Sequence, residues 1–306
     1  MADLLRRVVA VVGPTATGKS GLAVELALRL GGEVINADAL QLYRGMDIGT
    51  AKLTSMARRG VPHHLLDELE VTQEASLAAY QRRARRLRDE VIERGGVPIL
   101  VGGSGLYVRA VLDRLDIPPA DPAVRAELEA EGQRAGAAIM HARLAAADPV
   151  AAAAILPGNL RRVVRALEVI RLTGRPFSAT LPEPEYDVPA VQIGLTAPWP
   201  VLDDQIGRRV QQMWADGLVE ETQTLVARGL REGRTASRAL GYAQVLRQLD
   251  GELTDAQARA DTAQATRRFA RRQESWFRRD DRVRWLGHDD PQLVSTALAI
   301  VTAAHP

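Results

Sequence analysis

Short unbroken apolar runs alternate with stretches of helical periodicity through the first third of the chain. Val8–Val12 is apolar at every position, as expected of a strand covered on both faces. A glycine-bearing turn follows at 13–20, then a helix over 21–30. Residues 33–36 read as a second strand closing on Ala37-Asp38, and residues 75–94 as a long basic helix. Val97–Val101 reads as a third strand, stopped by Gly102-Gly103. Strands alternating with helices predict an α/β fold with a parallel sheet flanked by helices.

The pattern shifts near Leu115. Ile-Pro-Pro-Ala-Asp-Pro at 117–122 reads as a linker, and the chain is then alanine-rich and helical to about Arg175. Turn signals stand at Asp148-Pro149 and Pro157-Gly158, and a proline-rich stretch at 181–189 closes the block. Residues 191–195 read as a further strand, and 202–285 as again helical, with many arginines. The expectation is a helical insertion domain over 115–185, interrupting a core built from 1–114 and 186–306.

Composition adds limits. The chain has 306 residues, 46% of them hydrophobic and 25% charged, an ordinary globular balance. It has no cysteine, which excludes disulfides, thiolate catalysis and Cys-ligated metal. The opening Met-Ala-Asp-Leu-Leu-Arg-Arg lacks the apolar core of a secretory signal. No run approaches the roughly 20 apolar residues of a bilayer span. A cytoplasmic protein without membrane contact is expected. Net charge is only +2, but Lys19 and Lys52 are the only lysines among 40 basic residues. The rest are arginine, the better fork for phosphates and the better partner for base stacking.

The turn Gly13-Pro14-Thr15-Ala16-Thr17-Gly18-Lys19-Ser20 matches G-x-x-x-x-G-K-[ST] at every fixed position, between a strand and a helix. That context predicts a P-loop NTPase-like sheet. Glycines let backbone N–H groups turn inward, the helix N-terminus adds positive potential, Lys19 meets phosphate oxygens, and the Ser20 hydroxyl can reach Mg²⁺. An ATPase or kinase also carries an acid after a second apolar strand; here Val97–Val101 runs into Gly102-Gly103-Ser104. The carboxylate stands instead at Asp38. Carboxyl ends of parallel strands border one crevice, so Asp38 is expected beside the loop, either as a base or as a turn and cap residue. The adjacent His63 and His64 would face opposite ways on a strand and read as structural rather than as metal ligands.

Several blocks together resemble the bacterial tRNA dimethylallyltransferases (tRNA isopentenyltransferases). They are the P-loop; Asn36-Ala37-Asp38-Ala39-Leu40-Gln41-Leu42-Tyr43-Arg44-Gly45-Met46-Asp47-Ile48-Gly49-Thr50-Ala51-Lys52; Pro62-His63-His64-Leu65-Leu66-Asp67; Gly102-Gly103-Ser104-Gly105-Leu106-Tyr107; Arg165-Ala166-Leu167-Glu168; Thr173-Gly174-Arg175-Pro176; Leu240-Gly241-Tyr242; and Arg271-Arg272-Gln273-Glu274-Ser275-Trp276-Phe277. Ala39, Leu53 and Ser104 depart from the usual serine, proline and threonine; Ser104 keeps the hydroxyl.

The resemblance implies transfer of a dimethylallyl group from dimethylallyl pyrophosphate to N6 of the adenosine 3′ of the anticodon, with Mg²⁺. It casts Asp38 as base. Gly13, Thr15, Ala16, Thr17, Gly18, Lys19 and Ser20 would hold pyrophosphate, and Arg209, with Arg208 as the adjacent alternative, would neutralise it. Asp38, Ala39, Leu40 and Gln41 would meet a flipped adenine, with Ser104 lining the channel. Arg125, Arg161, Arg162, Arg165, Arg238, Gly241, Tyr242, Arg271, Arg272 and Gln273 would approach the anticodon stem-loop of a tRNA. Arginines interleaved with Phe269, Trp276, Phe277 and Trp285 suit splayed bases; the basic run 82–88 reads rather as a solvated helix face. A monomer is the default. Rival readings are a small-molecule kinase or NTPase on the same loop, a nucleotide-switched RNA-binding protein, and a prenyltransferase acting on free AMP, which would need no such basic surface.

Overall fold

The structure is a computed structural model, described here over residues 7–180 and 184–303. The N-terminal six residues, read above for the absence of a signal, and part of the proline-rich stretch at 181–189 lie outside the described residues. The chain divides into two compact units, Met1–Asp113 with Tyr186–Pro306, and Arg114–Glu185.

In chain order the first unit opens with β1 (Val8–Val12), α1 (Lys19–Leu30), β2 (Gly32–Asn36), β3 (His63–His64), α2 (Leu77–Glu93), β4 (Val97–Val101) and α3 (Gly105–Leu112). The second unit holds α4 (Pro122–Ala135), α5 (Ala137–Ala147), α6 (Pro149–Ala154) and α7 (Leu160–Thr173). The first unit resumes with β5 (Ala190–Thr196), α8 (Trp199–Ala215), α9 (Leu218–Ala227), α10 (Tyr242–Leu249), α11 (Asp255–Phe277), β6 (Val283–Gly287) and α12 (Leu293–Ala303).

The sheet has the order β3-β2-β4-β1-β5-β6, and every pairing is parallel. Its central strand β1 serves both faces by alternation. Val8, Ala10 and Val12 pack with Tyr80, Ala84, Val108 and Val111 of α2 and α3. Val9 and Val11 pack with Leu22, Leu26, Ala297 and Val301 of α1 and α12. Two covered faces explain the uninterrupted apolar run. A third cluster joins α8–α11 around Trp214, Leu218, Tyr242 and Val245.

The parallel α/β reading holds. Three local expectations do not. α1 begins at Lys19, two residues early, because Gly18 in the left-handed conformation (φ 85°) serves as its N-cap. The segment read as helical over 202–285 ends instead in an edge strand, Val283–Gly287, paired with β5; its few apolar positions, Val283, Trp285 and Leu286, follow an arginine-rich run. The run 82–88 is only partly a solvated face. Arg88 is buried and donates to the Val111 carbonyl and Asp187, and Arg85 donates to the carbonyls of Ala110 and Asp113.

In the second unit the Asp-Pro pairs read as linker and turn are helix starts. Asp121 caps α4 with Pro122 in the first turn, and Asp148 caps α6 with Pro149 in the same place. Leu128, Met140, Leu144, Val163 and Val164 form its core.

Candidate active site

Because all strands run parallel, the chain leaves β1, β2, β4 and β5 at one edge of the sheet. After β1, Gly13 (φ 127°) lies so close to β5 that a Cβ there would stand 2.4 Å from the Leu195 carbonyl oxygen. Gly18 (φ 85°) and Ala16 (φ 71°) also take left-handed conformations, which turns successive N–H groups toward one concavity. The loop braces itself: the Thr17 hydroxyl donates to the Pro14 carbonyl at 2.9 Å, and Lys19 Nζ to the same oxygen at 2.6 Å.

Burial, and then the Arg209 guanidinium, push the Lys19 ammonium down to about 7, against the pull of Asp38. An anion placed among Lys19, Arg209 and the inward N–H groups would restore that positive charge. Arg209, on α8, donates to the Thr15 hydroxyl at 3.2 Å, and burial lowers its own pKa. Its neighbour Arg208 pairs with Asp204 at 2.7 Å on the exposed side of the helix. Arg209, not Arg208, is the arginine that reaches the loop.

Asp38 stands just past β2. The Asn36 side chain brackets it, accepting from the Asp38 N–H at 2.9 Å and donating to the Asp38 carbonyl at 2.9 Å. Asn36 is fixed in turn by the Leu65 carbonyl, and its own carbonyl accepts from the Tyr80 hydroxyl. Asp38 Oδ1 accepts from Leu40 N–H at 2.9 Å and so caps the short 3-10 turn Ala39–Leu42. The cap role and the base role are compatible, because Oδ2 accepts no hydrogen bond among the described residues. Burial raises the carboxyl's pKa, opposed by the Leu40 N–H and by Lys19.

Gln41 donates one Nε2–H to the Thr50 carbonyl at 3.0 Å, which leaves its carbonyl oxygen and second N–H as the available edge. It lines a small cavity with Ser20, Asn36 and His63. Ser104, after β4, is the N-cap of α3 but spends no side-chain hydrogen bond on the cap. Asp38, Gln41, Lys19, Ser20, Ser104 and Arg209 thus come from the same edge of the sheet and the helix beside it.

The residues expected at an RNA surface divide. Arg271 and Arg272 lie exposed on α11 and line a surface groove with Ser275, Trp276 and Arg279. Arg271 is also held by Asp203 at 2.8 Å and lies over the Trp199 ring. Arg238 is exposed. Gln273 and Tyr242 are buried. The Tyr242 hydroxyl donates to Glu221 at 2.6 Å, and Gly49 must lack a Cβ because one would sit 2.4 Å from the Tyr242 ring. Tyr242 is therefore a strut beneath the loop 47–49, whose N–H groups also converge on Glu221. Gly241 supplies the left-handed turn (φ 87°) before α10. In the second unit Arg161 and Arg162 are exposed on α7, whereas Arg125 and Arg165 both bond the fully buried Glu168.

Sequence reasoning gives Glu221 and Glu168 no role, since a glutamate on a helix carries no signal of how many donors converge on it. It also leaves Lys52 without a role. Lys52 is one of only two lysines; its side chain is 3% exposed and ties the Tyr43 carbonyl to Asp47 and Asp67. His63 bonds the Val61 carbonyl and His64 bonds Glu33.

Comparison with known proteins is specific. The IPP transferase family matches residues 41–280. The chain is 63% identical to the tRNA dimethylallyltransferase of Salinispora arenicola, over 97% of this chain and 87% of that one. It is 63% identical to that of Thermobifida fusca, over 96% of this chain and 94% of that one. Among solved structures it is similar to the tRNA isopentenylpyrophosphate transferase of Bacillus halodurans: 44% identity, TM-score 0.71, covering 97% of this chain and 95% of that one. A eukaryotic dimethylallyltransferase acting on tRNA, at 24% identity and TM-score 0.82, covers 97% of this chain and 79% of its own and shares the fold.

Proposed function

The chain belongs to the IPP transferase family, and on that premise we propose that it moves a dimethylallyl group from dimethylallyl pyrophosphate to N6 of the adenosine 3′ of the anticodon in tRNA, forming N6-isopentenyladenosine. The observation that carries the chemistry is Asp38, a carboxylate with one oxygen uncommitted and its basicity raised by burial, within electrostatic reach of the P-loop lysine.

In the transfer, the bond between the allylic carbon and the pyrophosphate oxygen breaks as the bond from N6 to that carbon forms. The N6 proton passes to the Asp38 carboxylate, and the electron pair leaves on pyrophosphate. An exocyclic adenine amine is a weak nucleophile because its lone pair is delocalised, so a positioned proton acceptor is worth roughly 10²–10⁴ in rate. The P-loop N–H groups, Lys19 and Arg209 meet the departing charge where it develops. Gln41 and Ser104 line the approach of the base.

The donor set suits magnesium held mostly by substrate. Among the described residues no group of three His, Asp or Glu could hold a metal ion, while the Ser20 hydroxyl, at the second residue of α1, borders the cavity shared with Gln41. Mg²⁺ keeps several waters and binds through few protein ligands plus phosphate oxygens. Bound there, it would neutralise pyrophosphate charge. Exposed Arg161, Arg162, Arg238, Arg271 and Arg272 would take RNA phosphates and stack on bases. No helix among the described residues is long and apolar enough to cross a membrane.

The test is incubation with Mg²⁺, radiolabelled dimethylallyl pyrophosphate and total tRNA. Label in acid-precipitable RNA is expected. Hydrolysis of ATP with no label in RNA would return the chain to the P-loop kinases.

A further inference from the structure

The helix α11 carries residues for two tasks on two faces. Its outer face presents Arg271, Arg272, Ser275 and Trp276 around one groove, which Arg279 completes just past the end of the helix. Its inner face buries Ala270, Gln273 and Phe277, spaced three and four residues apart. Ala270 and Phe277 are apolar; Gln273 is a carboxamide 6% exposed, and its burial needs partners for both ends.

Both partners belong to the rim of the pyrophosphate cradle. Gln273 Oε1 accepts from the Thr15 N–H at 2.8 Å, and Gln273 Nε2 donates to the Gly103 carbonyl at 3.0 Å. These are backbone groups with fixed polarity, an N–H that only donates and a carbonyl that only accepts, so the amide has one orientation. The fit is close: a Cβ on Gly103 would stand 2.0 Å from Gln273 Nε2. Thr15 is gripped from the other side by Arg209, through its hydroxyl. The loop between β1 and α1 is thus pinned to α11 on one side and α8 on the other.

We propose that Gln273 is a positioning residue for pyrophosphate, not a contact for RNA: it sets the Thr15 stretch of the P-loop, and through Thr15 the place of Arg209. Adjacent residues of one helix then serve different substrates, Arg272 the RNA and Gln273 the leaving group. This rests on the proposed function for the identity of the two substrates.

The test measures dissociation constants separately for inorganic pyrophosphate with Mg²⁺ and for a labelled anticodon stem-loop RNA in its absence. Gln273→Met keeps length and volume but loses both hydrogen bonds. It should weaken pyrophosphate by about tenfold, the loss of one or two such bonds, and leave the RNA constant unchanged. Arg272→Ala should do the reverse. Gly103→Ala, which displaces the amide from the opposite side, should reproduce the Gln273→Met pattern and guards against a variant that merely folds poorly. In steady state, Gln273→Met should raise KM for dimethylallyl pyrophosphate and leave KM for RNA alone. Unchanged pyrophosphate affinity in Gln273→Met, with or without weaker RNA binding, overturns the proposal. If the wild type binds pyrophosphate but no RNA, the proposed function fails, and the role of Gln273 is still read from the pyrophosphate arm.

Discussion

Asp38, at the edge of the sheet, and Glu168, in the helical unit, are both carboxylates drawn out of water, and they are treated oppositely. Glu168 is fully buried, and its oxygens accept from the Asp121 N–H at 2.9 Å, from Arg125 at 3.0 Å and from Arg165 at 2.8 Å. Burial alone would raise its pKa, but these donors outweigh burial and hold it below the usual range. Asp38 receives one N–H on one oxygen, and burial wins. A carboxylate that has filled its lone pairs with donors ties helices together. One that keeps an oxygen open, with its pKa raised, can accept a proton. The number of donors on each carboxylate separates the two roles.

Breaking the uncommitted carboxylate should have the largest effect on chemistry. Asp38→Asn keeps the Leu40 cap through its amide oxygen, so transfer should fall by roughly 10²–10⁴ while the melting temperature and the pyrophosphate affinity hold. Single-turnover labelling beside a thermal melt checks both halves. Breaking the saturated carboxylate should do the opposite. Glu168→Ala removes the buried acceptor shared by Arg125, Arg165 and the Asp121 N–H and should destabilise the helical unit by about 3 kcal/mol, seen as a lower denaturant midpoint, with pyrophosphate binding intact.

Arg209→Met tests whether the positive side of the crevice acts in the transition state, and kcat should drop by about 10². Arg208→Met should leave kcat unchanged, since Arg208 faces solvent with Asp204. The smallest effect lies away from both carboxylates. The Arg94 guanidinium, against the cost of burial and with help from His64, lowers Glu33 to about 2. A depressed carboxylate stabilises the fold above its unfolded value near 4.5 and loses that contribution as pH falls toward 2. Wild type should exceed Glu33→Gln by about 1 kcal/mol at pH 6, after discounting for solvent screening, and the gap should close by pH 2. Paired melts across that window check it.

Much of the catalytic edge was legible because it is local. The P-loop is contiguous, and Asp38 falls beside it by the rule that the carboxyl ends of parallel strands border one crevice. The choice between Arg208 and Arg209 was not legible. One residue on a helix rotates a side chain by about 100°, and only the packing of α8 shows which one faces Thr15. Gln273 sits in an arginine-rich run and reads as part of an RNA surface; the inward stripe 270, 273 and 277 shows where it points. Tyr242 was read from its motif as close to RNA, yet its ring fills the space beside Gly49. That Arg125 and Arg165 share an acceptor is not legible either, because the carboxylate that engages them lies 43 and 3 residues away in sequence. The strand β6 does not stand out in the sequence because Arg282 and Arg284 continue the arginine-rich run of the helix before it.

The central claim is that the unsaturated carboxylate at Asp38 takes the proton. The pH dependence of single-turnover transfer, with both substrates bound, tests it most directly. The rate should fall on the acid side through a single ionisation above the ordinary aspartate value, and that limb should vanish in Asp38→Asn, whose residual rate is flat with pH. An acid limb that survives unchanged in Asp38→Asn would contradict the account, and would move the proton acceptor to another group.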